Sequence, residues 1–210
     1  LPSVTTILSA CQSDEKKASL AAWKARMGDK AADEVRDTAA QRGTAMHTYL
    51  EHYLDGTGYK DLTPLGKQAE VMANKIIESG LGDLEELWGL ETTLYYPDLY
   101  AGATDVVGIY AGQPAIIDFK QSNKPKRREW IMDYFEQLGA YTMAHNQVYG
   151  TKIQSGIILM CTKDYLFQKF EVSGREFVKH QHAFLRKCDQ YYKNVSQAKQ
   201  GQDTKNDQKV

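Results

Sequence analysis

The hydrophobic positions of the chain change period as it proceeds. Leu20, Trp23 and Met27 recur at helical spacing behind Ser13-Asp14-Glu15, a capping serine followed by acids suited to a first turn. This predicts a helix from about Asp14 to Met27. A second helical pattern, over residues 33–54, sets Met46, Leu50 and Leu54 on one face and ends at Gly56 and Gly58; a third, over 65–78, is stopped by Gly80 and Gly82. From Leu84 the chain becomes rich in β-branched and aromatic residues, and strands are predicted over 88–96, 102–110 and 115–120, broken by Pro97-Asp98 and by residues 111–114. A helix over 128–148, strands over 153–161 and 166–172 around Lys163-Asp164, and a last helix from near Ser173 that fades before Gln200 follow. This order implies an α/β fold: a mixed central β-sheet flanked by helices, in one domain over residues 1–199, with a mobile polar tail over 200–210.

Composition narrows the classes. With 26 basic and 27 acidic side chains the formal net charge is -1, so no global field draws the chain to a polyanion, and any such binding needs a local patch. No run approaches eighteen apolar residues, which argues against a membrane helix, and residues 1–13 lack the make-up of a secretory signal. An intracellular protein is expected. Its three cysteines, Cys11, Cys161 and Cys188, are odd in number and widely spaced, and they read as reduced thiols rather than a disulfide framework or metal cluster.

Chemistry concentrates in the strands over 102–110 and 115–120. In Ile117-Asp118-Phe119-Lys120 the alternation puts Asp118 and Lys120 on one face and the apolar pair on the other. If residues 111–114 form a four-residue loop, Ala115 pairs with Tyr110, which places Asp105 opposite Lys120 with Asp118 diagonal. Two carboxylates crowded into a partly buried sheet repel unless a cation lies between them or one takes a proton. A hard divalent ion with oxygen ligands answers this, and Mg²⁺ suits a sparse site completed by water and phosphate. The competing reading is an ordinary Asp118–Lys120 ion pair on a half-exposed sheet; the apolar flanks favour a buried strand, where charge needs a reason.

These residues also carry a resemblance. Gly102-x-x-Asp105, Asp118-Phe119-Lys120 and Gln137-x-x-x-Tyr141, preceded by Arg42-Gly43-Thr44-x-x-His47-x-x-x-Glu51, resemble the PD-(D/E)xK nuclease superfamily in its RecB-like branch. The opening Pro2-Ser3-Val4-Thr5 and Trp23-Lys24-x-Arg26-Met27 are similar in order to the mitochondrial genome maintenance exonucleases and their phage relatives. The resemblance implies a restriction-endonuclease-like core with added N-terminal helices. It implies metal ligation by His47, Asp105, Asp118 and the Phe119 carbonyl, catalysis by Lys120 with Asp118 and Asp105, and a further acid at Glu91. Glu51 would orient His47 or be a charge on the helix surface, and Gln137 and Tyr141 would position the substrate strand or, with Leu138, pack their helix on the sheet. Asp98, although it follows a proline, reads as a turn residue. The four cysteines of iron–sulfur members are lacking, so no iron–sulfur cluster is expected.

Past the strand over 115–120, Lys124, Lys126, Arg127 and Arg128 form a basic loop that, with Arg42, is the local patch a polyanion would need. Trp23, Trp130, Tyr49, Tyr53 and Tyr134 offer surfaces for stacking bases, while no motif for sequence readout is present. The expectation is an Mg²⁺- or Mn²⁺-dependent deoxyribonuclease, an exonuclease preferring single-stranded DNA ends. It would act as a monomer alongside replication or recombination proteins, in the cytoplasm of a bacterium or phage-infected host, or in the mitochondrial matrix for a eukaryotic relative. Alternatives are an endonuclease of the same fold, a non-catalytic nucleic-acid-binding domain, and an enzyme acting on small phosphate esters.

Overall fold

The computed structural model describes residues 1–207, with side chains through residue 198. The elements are α1 (Val4–Ala10), α2 (Asp14–Met27), α3 (Asp29–Leu54), α4 (Pro64–Gly80), β1 (Leu84–Tyr96), β2 (Tyr100–Tyr110), β3 (Gln113–Ser122), α5 (Met132–Tyr149), β4 (Ser155–Thr162), β5 (Phe167–Ser173) and α6 (Gly174–Asp207). Single 3-10 turns lie at Leu81–Asp83 and Arg128–Trp130. The strands form one sheet in the order β1-β2-β3-β4-β5. All neighbours are antiparallel except β3 and β4, which run parallel because α5 carries the chain back across one face between them. The expected α/β fold with a mixed sheet and flanking helices is borne out.

Period-two alternation sends the central strands' side chains into two cores. On one face, Met46 and Leu50 of α3 and Met72 and Ile76 of α4 pack with Val106, Ile117, Phe119 and Leu159. On the other, Ile7 of α1, Phe135 and Leu138 of α5 and Phe177 and Phe184 of α6 pack with Val107, Ile116 and Ile158. A strand covered on both sides has no solvated face, so the polar residues it carries must find partners inside the protein.

Three elements depart from the sequence pattern. The first is α1, seven residues whose Ser3 hydroxyl accepts the Thr6 N–H at 3.0 Å and whose Val4 and Ile7 are buried; it is too short for a period to show. Next, α2 forms where expected, capped by Ser13, but buries none of its residues, and Leu20 is 57% exposed. Its ties are ionic, led by Lys16 Nζ to Asp133 Oδ2 at 2.6 Å. Finally, α6 runs through Asp207, past the expected end before Gln200. Its Lys, Gln and Ala residues are good helix formers and no proline intervenes. Of the expected tail, residues 208–210 lie outside those described.

The β2–β3 connection corrects the expected register. Tyr110 pairs with Gln113, not Ala115, so the loop is the two residues Ala111-Gly112, with φ of 48° and 75°. Two successive positive φ values define the type I′ turn, whose twist matches that of the strands it joins. The register moves by two residues and therefore leaves every side chain on its expected face. Because an L-residue such as Ala111 is disfavoured at positive φ, Ala111→Asn should raise stability by about 0.5–1 kcal/mol. Gly112→Ala, with open space around the new methyl group, should lower it by about 1–2 kcal/mol. Urea unfolding of the two variants beside wild type measures both signs.

Candidate active site

The β2–β3 ladder runs from Tyr110↔Gln113 to Val106↔Ile117 and then stops. Beyond it β2 stays on β1, through Thr104↔Thr92 and Ala103↔Thr93, while β3 stays on β4 as far as Ser122↔Thr162. The sheet therefore forks, and Asp105 and Asp118 stand at the base of the fork, where the next rung would pair them. Strand backbone facing such a gap must find other partners. Asp105 Oδ2 accepts the Phe119 N–H at 2.7 Å, so a carboxylate takes the place of a main-chain rung. Farther out, Ala101 N–H donates to the Pro2 carbonyl at 3.0 Å, and the N-terminal segment pairs with the exposed side of β2.

Side chains converge on the fork from five elements. From α3, His47 brings Nδ1 to 3.3 Å from Asp105 Oδ1, with its ring edge-on to Phe119 at 6.0 Å. From β1, Glu91 lies opposite Asp105, on a backbone turned to φ 47° between the Leu90↔Val106 and Thr92↔Thr104 pairs. One ligand atom each from His47, Glu91 and Asp105 lies within 4.8 Å of the others. From β3, Lys120 Nζ stands 2.7 Å from Asp118 Oδ2 but out of line, so that buried oxygen accepts no hydrogen bond. The ammonium instead donates to Gln137 Oε1 of α5 at 3.1 Å and lies over the Tyr134 ring at 5.1 Å.

Charge is concentrated here in a poorly hydrated setting. Burial pushes the Asp118 carboxyl above the usual carboxylate range, and the neighbouring Asp105 adds to this while Lys120 opposes it. Asp105, although buried, is held below that range by the hydrogen bond and charge of His47, the Lys120 charge and the Phe119 N–H. Burial alone would lower His47, but Asp105 outweighs it and the imidazole is raised. Burial and the Asp105 charge raise Glu91. Lys120 is buried too, yet Asp118 and Asp105 hold its pKa up, so it is an ammonium ion at neutral pH. Three carboxylates against one ammonium, with a buried carboxylate oxygen lacking a hydrogen bond, make a donor set that fits a divalent cation held by oxygen and one imidazole.

The sequence-derived set is largely brought together. His47, Glu91, Asp105, Asp118, Phe119 and Lys120 surround the fork, and Gln137 and Tyr141 line its α5 side. Asp98 is in the β1–β2 turn, exposed at φ 62°, as expected. Two assignments need correction. The orienting partner of His47 is Asp105 rather than Glu51, for which no hydrogen bond to His47 is formed. Arg128 turns away from the fork: it donates to the Glu171 carbonyl at 2.9 Å and Glu176 Oε1 at 2.8 Å and covers the Phe135 ring, fastening the loop to β5 and α6. Arg42 is buried, with Nη1 donating to Asn123 Oδ1 at 3.1 Å beyond β3. Lys124 and Arg127 are exposed, and Lys126 is held through its backbone by Gln168. Of the five aromatics, only Tyr134 contacts this charge cluster; Trp23 and Trp130 line a separate cleft of about 920 Å³ beside the first turn of α5. Gly102 was legible only as part of a motif. Its bare Cα gives the Tyr141 ring room, since a Cβ there would lie 2.7 Å from Tyr141 Cε1.

In fold and in sequence the chain is similar to exonucleases, as the resemblance seen in the motifs implies. The architecture matches a candidate exonuclease from Eubacterium rectale with a TM-score of 0.54 at 17% identity, over 78% of this chain and 68% of that one. In sequence the chain is homologous to mitochondrial genome maintenance exonuclease 1. It is 30% identical to the Xenopus tropicalis protein over 175 residues and 29% identical to the Homo sapiens protein over 177, covering 78% of this chain in each case. The chain spans about half the length of these relatives, 49% and 50% respectively. No protein-family model matches it. None of the described helices is long and apolar enough to cross a membrane.

If the fork binds a divalent ion, Mn²⁺ at a hundredfold excess over its Kd should stabilise the protein by about 2.7 kcal/mol, read as a rise in Tm. Asp105→Asn and Asp118→Asn should remove that rise. The rise should also shrink as pH falls and His47 takes a proton, because only the neutral imidazole is a ligand.

Proposed function

We propose that this protein is a metal-dependent DNA exonuclease that hydrolyses phosphodiester bonds from single-stranded ends, with Mg²⁺ or Mn²⁺ as its ion. The observation that carries the reading is the convergence of His47, Asp105, Asp118 and Lys120 on one fork of the sheet, in a chain homologous to an exonuclease. His47, Asp105, Asp118 and the Phe119 carbonyl would hold the ion, with Glu91 beside them. When bound, such an ion supplies positive charge toward phosphate oxygens and a more acidic water.

The chain's own groups then have separable tasks. Lys120, kept protonated by Asp118 and Asp105, cannot serve as a base and instead donates to a phosphate oxygen whose charge grows in the transition state. Asp105 holds His47 by its imidazole and the β3 backbone by the Phe119 N–H, so one carboxylate fixes the relative placement of α3, β2 and β3. Lys124 and Arg127, exposed beyond β3, meet the phosphates of the strand on either side of the scissile bond, and Arg42 braces that loop through Asn123. The preference for single strands is supported by the Tyr134 ring beside Lys120, on which a base would stack.

The test compares linear and circular single-stranded DNA of one sequence in Mg²⁺, with EDTA and Lys120→Ala as controls. Degradation of the linear substrate alone is expected, abolished by EDTA and reduced by at least about a hundredfold in the variant, whose far-ultraviolet circular dichroism should match wild type. Cutting of the circle would replace the exonuclease reading with an endonuclease. Unchanged activity of Lys120→Ala would overturn the proposed chemistry.

A further inference from the structure

The two α5 side chains expected to meet the substrate strand are already engaged inside the protein. Gln137 Oε1 accepts from Lys120 Nζ at 3.1 Å, and Gln137 Nε2 donates to the Tyr141 hydroxyl at 3.0 Å. The amide has one workable orientation, because an ammonium only donates and so requires the oxygen. Gln137 is 9% exposed and Tyr141 3%, so water competes little for either bond. Asp118 draws the ammonium to 2.7 Å by charge but makes no aligned hydrogen bond with it. Direction therefore comes from Gln137. A lysine side chain has four rotatable bonds, and charge alone fixes its head less well than a directional acceptor does.

The series also bridges the fork. Lys120 belongs to the β3 arm, whereas Tyr141 is seated on the β2 arm, its ring filling the space left by Gly102. We propose that Gln137 and Tyr141 are positioning residues that hold the Lys120 ammonium in place across the fork, with Gly102 as the seat of the Tyr141 ring, and that they are not contacts of the nucleic acid. The kinetic consequence rests on the nuclease reading above; the structural consequence does not.

The experiment takes Gln137→Leu, Gln137→Glu, Tyr141→Phe and Gly102→Ala beside wild type. It measures kcat and KM on single-stranded DNA, equilibrium binding of that DNA in Ca²⁺, Tm, and a crystal structure of Gln137→Leu. Gln137→Leu should lose about 10- to 100-fold in kcat with KM and the equilibrium affinity for DNA each within twofold of wild type. Gln137→Glu, which keeps an oxygen toward the ammonium, should recover at least tenfold of a full hundredfold loss. Tyr141→Phe and Gly102→Ala, neither of which touches Lys120, should show smaller losses confined to kcat. A direct contact with the nucleic acid would instead weaken equilibrium binding and raise KM, and either result with kcat intact overturns the proposal; so does wild-type behaviour of Gln137→Leu. If wild type cleaves no DNA, the nuclease reading fails by itself, and the crystal structure decides: a Lys120 Nζ moved by 1 Å or more supports positioning, and an unmoved one overturns it. Should Gln137→Leu lose its folding transition, Tyr141→Phe, which keeps the buried ring, takes its place in the kinetic measurements, where a loss in kcat at unchanged KM supports the proposal and wild-type kcat overturns it.

Discussion

The organisation of this protein depends on one hydrogen bond that replaces a rung of the sheet. Where the β2–β3 ladder ends, the Phe119 N–H is accepted by the Asp105 carboxylate at 2.7 Å rather than by a main-chain carbonyl. A buried N–H without a partner would cost about 1–3 kcal/mol, so the strands can part only if a side chain takes over. That substitution fixes Asp105, and Asp105 in turn holds His47 of α3. Asp118, the neighbour of Phe119 on β3, is brought to the same point with the opposite needs: buried, raised, and with an oxygen no hydrogen bond satisfies. The fork thus creates a concentration of negative charge that a folded protein would otherwise avoid, as expected where local stability is given up for chemistry.

Legibility in the sequence followed the length and period of each signal. The expected loop between β2 and β3 was two residues too long, yet Asp105, Asp118 and Lys120 kept their common face, because strand parity survives a shift of two. What the sequence could not supply was the end of the ladder at Val106↔Ile117, which depends on how β2 follows β1 and β3 follows β4. For the same reason, the sequence pattern sets Asp118 diagonal to Asp105, whereas the next rung of the observed register sets the two opposite one another. Arg128 shows a related limit: a cation in a basic run looks available until Glu171 and Glu176, more than forty residues away, are seen to hold it. The apolar spacing of α2 identified a helix correctly but not its surroundings, since α2 is held by its cap and by ion pairs rather than by a buried face.

Polar groups around the fork divide by what they touch. Asp105 and His47 join three elements; Asp118 and Glu91 add charge; Lys120 carries the one ammonium. Gln137, Tyr141 and Gly102 form a row behind Lys120 whose members pack or hydrogen-bond in sequence. The spacing Gln137-x-x-x-Tyr141 places both on one helix face, and the bare Cα of Gly102 lets the second of them reach the sheet. His47, Asp105, Gln137, Tyr141 and Gly102, scattered along the chain, therefore have a shared geometric reason: each contributes to contacts across a gap that main-chain pairing has left open.

The most direct measurement is the anomalous scattering of Mn²⁺ in crystals of the wild-type protein at neutral pH. A single strong peak within coordination distance of His47, Asp105 and Asp118 at the fork is the expected result. A peak held by other residues, or full density for these side chains with no peak at millimolar Mn²⁺, would contradict the claim that the parting of β2 and β3 builds a metal site.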